Sequence, residues 1–372
     1  PEAMFMLNNI VLVAICFVVF WGTFFPLISQ AVTGDKSAVG PPWFSRYIVP
    51  LSLILVLLTG IGPVIPWRRA TWANARRIFA LPAAVAVVTL VVLLVVGGVA
   101  HKPWALGLFV LAAFALTVAV QEFWRGTRAR MAMSGQNPAS ALVTMVRRNR
   151  RRYGGYIVHI GIAVLFIGVA ASSAFQHVDD VVLNPGQSST VGGYRFTYVR
   201  PTTPPSTENI SFGAIVKVTK DGKPVATLDP SRGYYPVAAP FAPITGAISG
   251  ESTSEVRMDA GPTRDVWVTV SPDGQWLQRA AKALDTRLRK ANALGDPAQL
   301  ALSVRGMQRA YLLNPPPATF RLLVSPLVMW IWTGGLIIIG GALVALWPAP
   351  DSARRKVRAE AAARVARDLG RV

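Results

Sequence analysis

Imidazoles are the side chains in this sequence best suited to chemistry, and there are three of them: His101, His159 and His177. His159 lies inside the apolar run Tyr156–Phe175. At about 1.5 Å per helical residue it sits about 10 Å past the basic boundary at Arg152. An ionisable group at that depth in lipid is costly and marks a candidate functional site. Gly155 and Ala163 fall at i−4 and i+4, on the same helical face. Small residues there leave room for a flat group beside the ring, or let another helix approach closely. A neutral imidazole suits haem iron as an axial ligand. It equally suits a hydrogen bond across a helix interface, and the residues alone leave both readings open. His101 and His177 follow the third and fifth apolar runs and read as solvated interface residues, with a weak metal signal where His177 nears Asp179 and Asp180. The far boundary is about 20 Å from His159 across a ~30 Å core, too far for either to share one iron with it. Any second ligand must come from a span outside this chain, or be absent.

Other chemistry is thinly represented. The single cysteine, Cys16, permits no internal disulfide and no Cys-x-x-Cys-His attachment of a covalent haem, and reads as a small buried hydrophobe. There is no phosphate-binding loop and no His-Glu-x-x-His. Ser172 and Ser173 have no paired base and read as a helix end. No residue is assigned a catalytic role.

The elements that must position His159 are membrane spans. Hydrophobic residues make up 52% of the chain and charged residues only 15%. Six runs reach the roughly 20 residues that a span requires. They are about Leu7–Ile28, Tyr47–Ile65, Phe79–Ala100, Trp104–Phe123, Tyr156–Phe175 and Leu322–Trp347. Each is expected to be helical, because lipid offers backbone N–H and C=O no partner. Nineteen Lys and Arg lie in residues 67–77, 124–153 and 348–372, against Lys36, Arg46 and Lys102 in the opposite connections. The positive-inside rule therefore places both ends and the basic tail 348–372 in the cytoplasm, and residues 176–321 outside. The net charge of +20 is mostly this topology signal, reinforced by anionic lipid, and does not point to nucleic acid. Trp330 and Trp332 read as an interfacial aromatic belt. The chain begins at Pro1 without a signal-peptide pattern, so its start is expected to be internal to a longer or split protein.

The fold class is thus an α-helical integral membrane protein, residues 1–175 carrying five spans, with a mainly β extracytoplasmic domain (176–321) inserted before the last span (322–347). Tyr194–Val199, Ala214–Thr219, Pro224–Leu228 and Val266–Val270 read as strands, with Lys220-Asp221-Gly222-Lys223 as a hairpin turn. Residues 275–294 carry Leu277, Ala281, Leu284 and Leu288 on one helical face.

Several motifs, in this order, carry a resemblance. They are Trp21-Gly22-Thr23-Phe24-Phe25-Pro26-Leu27, Gly34–Phe44 with its Gly40-Pro41-Pro42-Trp43, and Gly60-Ile61-Gly62-Pro63. They continue with Arg148–Gly161, Asp221-Gly222-Lys223-Pro224, Arg232-Gly233-Tyr234-Tyr235 and Val328–Gly335. Together they resemble the C-terminal half of the CcmF family, haem-handling proteins of bacterial cytochrome c assembly. The resemblance covers nearly all of the chain except about 275–313, which looks like a helical insertion. It implies the membrane core of a cytochrome c haem lyase in the bacterial inner membrane. Such a core takes haem from the chaperone CcmE and, with CcmH, presents it to the thiols of apocytochrome c. The resemblance also implies a haem b between transmembrane histidines, proposed to reduce the incoming haem iron. His159 matches one of those histidines by its Gly-Gly-Tyr…His-Ile-Gly context. The family's Trp-rich haem segment, its outer histidine ligands and its other transmembrane histidine belong upstream of the match. This chain alone is therefore expected to lack the haem presentation site and to be inactive. The alternative is a transporter or permease subunit with an outer β domain, which would place binding residues mid-membrane at broken helices.

Overall fold

In the computed structural model, residues 2–64, 72–95, 98–206, 208–235 and 241–347 are described, with positions 361, 364, 365 and 370 of the tail. Arg68 and Arg69 of the first basic cluster, and Arg354, Arg355, Lys356, Arg358, Arg367 and Arg371 of the tail, lie outside the described residues. The chain divides into two compact units, Pro1–Ala170 with Trp330–Val372, and Ala171–Met329.

The first unit is helical. It contains α1 (Glu2–Thr33), α2 (Pro41–Ile61), α3 (Trp72–Val95), α4 (Pro103–Ser134), α5 (Pro138–Arg148) and α6 (Arg150–Ala174, whose last turn belongs to the second unit). The last helix of the chain returns to this unit. Among the described residues six helices are long and apolar enough to cross a membrane: α1, α2, α3, α4, α6 and that last helix. The sequence sets their ends. Pro41 and Pro103 open α2 and α4, where a missing N–H costs nothing. Gly135 closes α4 in the left-handed conformation (φ 63°), which a Cβ would strain. Asn137 caps α5 by accepting from the Ser140 N–H at 2.8 Å. The stretch 124–153, expected as a basic loop, is thus mostly helix. α4 continues eleven residues past Phe123, and α5 is a short amphipathic helix with Met145 buried and Arg147 and Arg148 exposed.

The second unit is a β-sandwich with a helical cover. Its strands are β1 (His177–Leu183), β2 (Ser188–Val191), β3 (Tyr194–Thr202), β4 (Ile210–Lys220), β5 (Lys223–Leu228), β6 (Ser231–Tyr234), β7 (Ser252–Glu255), β8 (Arg257–Ala260), β9 (Arg264–Pro272) and β10 (Ala318–Pro326). One sheet runs β1-β10-β9-β8 and the other β2-β3-β4-β6-β7, with β5 also on β4, all pairs antiparallel. Period-two alternation builds the core between the sheets. Phe196, Tyr198, Val216 and Val218 come from one side, and Val266, Val268, Val270, Phe320 and Leu322 from the other. The β4–β5 hairpin turns on Asp221 (φ 50°) and Gly222 (φ 77°), the paired positive φ of a two-residue turn.

Helices α7 (Pro243–Ser249), α8 (Gly274–Lys290) and α9 (Pro297–Leu313) form a second core on Ile210, Phe212 and Tyr234. Leu277, Ala281 and Leu288 of α8 are buried there, so the helical face expected near 275–294 packs on protein. Buried Asp285 accepts from the Ile244 N–H at 3.0 Å and the Thr245 N–H at 2.8 Å. It thereby satisfies the first turn of α7. The apolar run expected to open the last span at Leu322 instead belongs to β10 as far as Pro326. Leu322 and Val324 face the sandwich core, and Leu327 (φ 55°) then breaks the strand. The last helix, α10, is Val328–Leu346.

Tyr311 is fully buried in the second core, and its hydroxyl donates to the Gly213 carbonyl at 3.4 Å. Burial pushes its phenol well above the usual value, with Tyr198 and Tyr234 acting the same way. The folded state therefore holds this proton more tightly than the unfolded state, whose phenol titrates near about pH 10. That contribution is whole below about pH 10 and is lost as the pH rises beyond it. Thermal melting of the full chain in detergent is expected to fall steeply above about pH 10, and less steeply in Tyr311→Phe.

Candidate functional site

α6 presents two opposed stripes, because a helix turns about 100° per residue. On one side lie Gly154, Gly161 and Gly168, seven apart, and on α10 lie Gly334 and Gly341, also seven apart. These glycines let the two backbones meet. A Cβ on Gly161 would stand 2.8 Å from the Gly334 carbonyl oxygen and 2.7 Å from the Ile338 nitrogen. One on Gly154 would stand 2.8 Å from the Gly341 oxygen, and one on Gly168 2.8 Å from the Ile331 nitrogen. The partners descend along α10 as α6 ascends, so the helices are antiparallel. A seven-residue repeat fits a shallow left-handed crossing.

The opposite stripe carries Arg152, Tyr156, His159 and Ala163, at steps of four, three and four. Clamping the glycine stripe to α10 therefore turns His159 away from α10. The ring is half-buried, and its Nδ1 is buried with no hydrogen-bond partner. The flanks differ. Ala163 is fully buried, whereas a Cβ on Gly155 would meet nothing within 4 Å. The imidazole thus lies between a closed flank and an open one. An orphaned ring nitrogen beside open space fits an axial ligand with room for a flat ring.

Two turns nearer the basic end, buried Glu122 of α4 closes a polar cluster. It accepts from Arg152 Nη2 at 2.8 Å, Arg125 Nη1 at 3.3 Å and the Tyr156 hydroxyl at 3.3 Å. Beside the carboxylate, Tyr153 packs tilted and Tyr156 edge-on against Phe123, in one core with Met145 of α5. In the sequence Glu122 is notable only for its depth. Its partner Arg152 is thirty residues away, and an acid ending one span opposite a basic start of another is the one signal that links them. The glycine repeat is likewise legible as a seven-residue spacing, although the spacing alone does not name α10 as its partner.

The other candidates lie on other elements. His101 is exposed in the turn before α4, and His177 is exposed at the start of β1 in the other unit. Asp180 faces Arg321 across β1–β10 at 3.7 Å. Among the described residues no three His, Cys, Asp or Glu gather into a metal site. Cys16, expected to be buried, is exposed on α1. Trp332 is exposed on the first turns of α10.

Comparison with known proteins agrees with both units. Residues 174–284 match the family model described as the CcmF C-terminal beta-sandwich. The match runs into the stretch read as an insertion, so part of α8 belongs to the common domain. The cytochrome c-type biogenesis protein CcmF of Pseudomonas fluorescens is 30% identical over 99% of this chain. The chain belongs to the CcmF family. CcmF of Escherichia coli is 27% identical over 93% of it. A solved structure of the cytochrome c heme lyase CcmF covers 93% of the chain with a TM-score of 0.58 at 22% identity, a likeness of fold. The chain spans about half the length of these relatives, 46% and 43% for the two bacterial proteins. It is a multi-pass membrane protein with an inserted β domain.

Two substitutions separate the parts of this site. Gly161→Val sets a side chain against backbone and is expected to cost about 1–3 kcal/mol. Glu122→Gln leaves two partly exposed guanidinia unpaired and is expected to cost roughly 1–2 kcal/mol. Melting of the full chain in detergent measures both; a loss only for Glu122→Gln would contradict the close α6–α10 contact.

Proposed function

We propose that this chain is the C-terminal part of a cytochrome c maturation haem lyase, holding one half of a haem b site in the membrane. The observation that carries the reading is the lipid-depth imidazole of His159, its Nδ1 without a protein partner, next to the open flank at Gly155. His159 would ligate the iron, Gly155 would leave the space for the ring, and Ala163 would close the other flank. The second axial ligand would come from the part of the longer relatives that this chain does not span. When bound, such a haem supplies one electron at a time, suited to reducing the iron of an incoming haem. The chain's own residues hold the imidazole oriented. The α6–α10 clamp fixes its direction, and the Glu122–Arg152–Tyr156 cluster anchors the same stripe to α4.

Topology supports an extracytoplasmic sandwich, both chain ends inside, and a bacterial inner membrane location, by the basic bias of the connections. Haem delivery by CcmE, thiol reduction by CcmH and attachment to apocytochrome c would then take place outside. The described span helices run unbroken through Pro26, Pro50 and Pro82, which gives a transporter reading no discontinuous helix to build on.

The test is the haem content and absorption spectrum of the complete protein containing this chain. His159→Ala is expected to lose most of the haem b signal. Gly155→Leu is expected to lower occupancy with little change in melting, since a side chain there meets open space in this chain. An unchanged spectrum in both variants would refute the assignment.

A further inference from the structure

A groove of about 490 Å³ lies between α3 and α4, away from His159. Leu81 of α3 lines it, with Gln121, Trp124, Arg125, Arg128 and Ala132 from α4. On α4 residues 121, 125, 128 and 132 fall at helical spacing, so one stripe faces the groove. Its chemistry is graded along the helix. Leu81 is exposed and apolar. Gln121 has its amide oxygen buried with no hydrogen-bond partner. Trp124 is 67% exposed, in the manner of an indole at a membrane interface. Arg125 and Arg128 follow one turn apart.

The charges are left in excess. Glu122 takes its shortest bond from Arg152, at 2.8 Å, and a longer one from Arg125, at 3.3 Å. Arg125 therefore keeps most of its five donors for another acceptor. No ion pair engages Arg128 among the described residues. We propose that this groove binds the headgroup of an anionic phospholipid in the leaflet on the basic side of the membrane. Arg125 and Arg128 would clasp the phosphate, where a guanidinium fork pairs well with its oxygens. Gln121, one turn deeper, sits at the level of the ester groups, and its amide can turn to offer either oxygen or NH2. Leu81 borders space for acyl chain, and Ala132, one turn beyond Arg128, leaves room at the headgroup end. Basic pockets between membrane helices on the cytoplasmic side are known hosts for such headgroups. The apolar floor sets this site apart from a simple phosphate site, and the proposal does not depend on haem.

The full chain is purified in detergent, equilibrated with mixed phosphatidylglycerol and phosphatidylcholine, and the retained lipid counted by native mass spectrometry. Phosphatidylglycerol is expected to be retained in preference. Arg128→Gln is expected to lower that retention about fivefold. Arg151→Gln, an exposed arginine on α6 outside the groove, is expected to leave it unchanged. Inorganic phosphate is expected not to compete. Equal retention of both lipids, equal loss in both variants, or displacement by inorganic phosphate alone would overturn the proposal.

Discussion

Helix α6 and helix α10 touch backbone to backbone, and the orientation of everything functional in the helical unit follows from that contact. Lipid tails are as apolar as leucine, so burial alone does not bring membrane helices together. Close packing does, and it requires that side chains be missing where the axes cross. Gly154, Gly161 and Gly168 meet that requirement from one helix, and Gly334 and Gly341 from the other. Because the repeat is seven residues, the contact persists for four turns of α6. It therefore fixes the rotation of α6 about its axis as well as its distance from α10. His159 stands on the far side as a geometric consequence.

That orientation is reinforced electrostatically at the basic end. A carboxylate among spans is expensive unless it is paired. Glu122 is paired twice with arginine and once with a phenol. Arg152, Tyr156 and His159 share one stripe, so tying Arg152 and Tyr156 to α4 ties the imidazole to the same side. The helix is gripped on both faces, by shape on one and by charge on the other. His159 itself receives no such partner at Nδ1. A buried nitrogen without a partner calls for an explanation, and beside the open flank at Gly155 a ligand supplies one.

Much of this architecture is legible in the residues before any coordinates. Length and hydropathy give the six spans, since lipid leaves helix as the sole open-chain solution. Alternation in β3, β4 and β9 and the Asp221-Gly222 turn give the sandwich strands, since local pairing geometry decides them. The failures share a cause. Leu322–Val324 is apolar in a way that serves a buried strand and a span equally, and only pairing with β9 decides between them. α5 and the extension of α4 are hidden by their arginines, which read as loop although arginine is a good helix former. α7 is short and held by Asp285, forty residues distant, so no local pattern announces it. At the site, His159 and Gly155 are visible as types and spacing. The Glu122–Arg152 pair and the α6–α10 clamp are not, because they join residues far apart in the chain.

Whether the His159 ring is an iron ligand or a packed imidazole is tested most directly by chemical rescue. In the complete protein, His159→Gly removes the ring and leaves a space of its shape. The predicted result is that the haem b spectrum is lost in this variant and returns on addition of free imidazole. A spectrum that persists in His159→Gly without imidazole would contradict iron ligation by this residue.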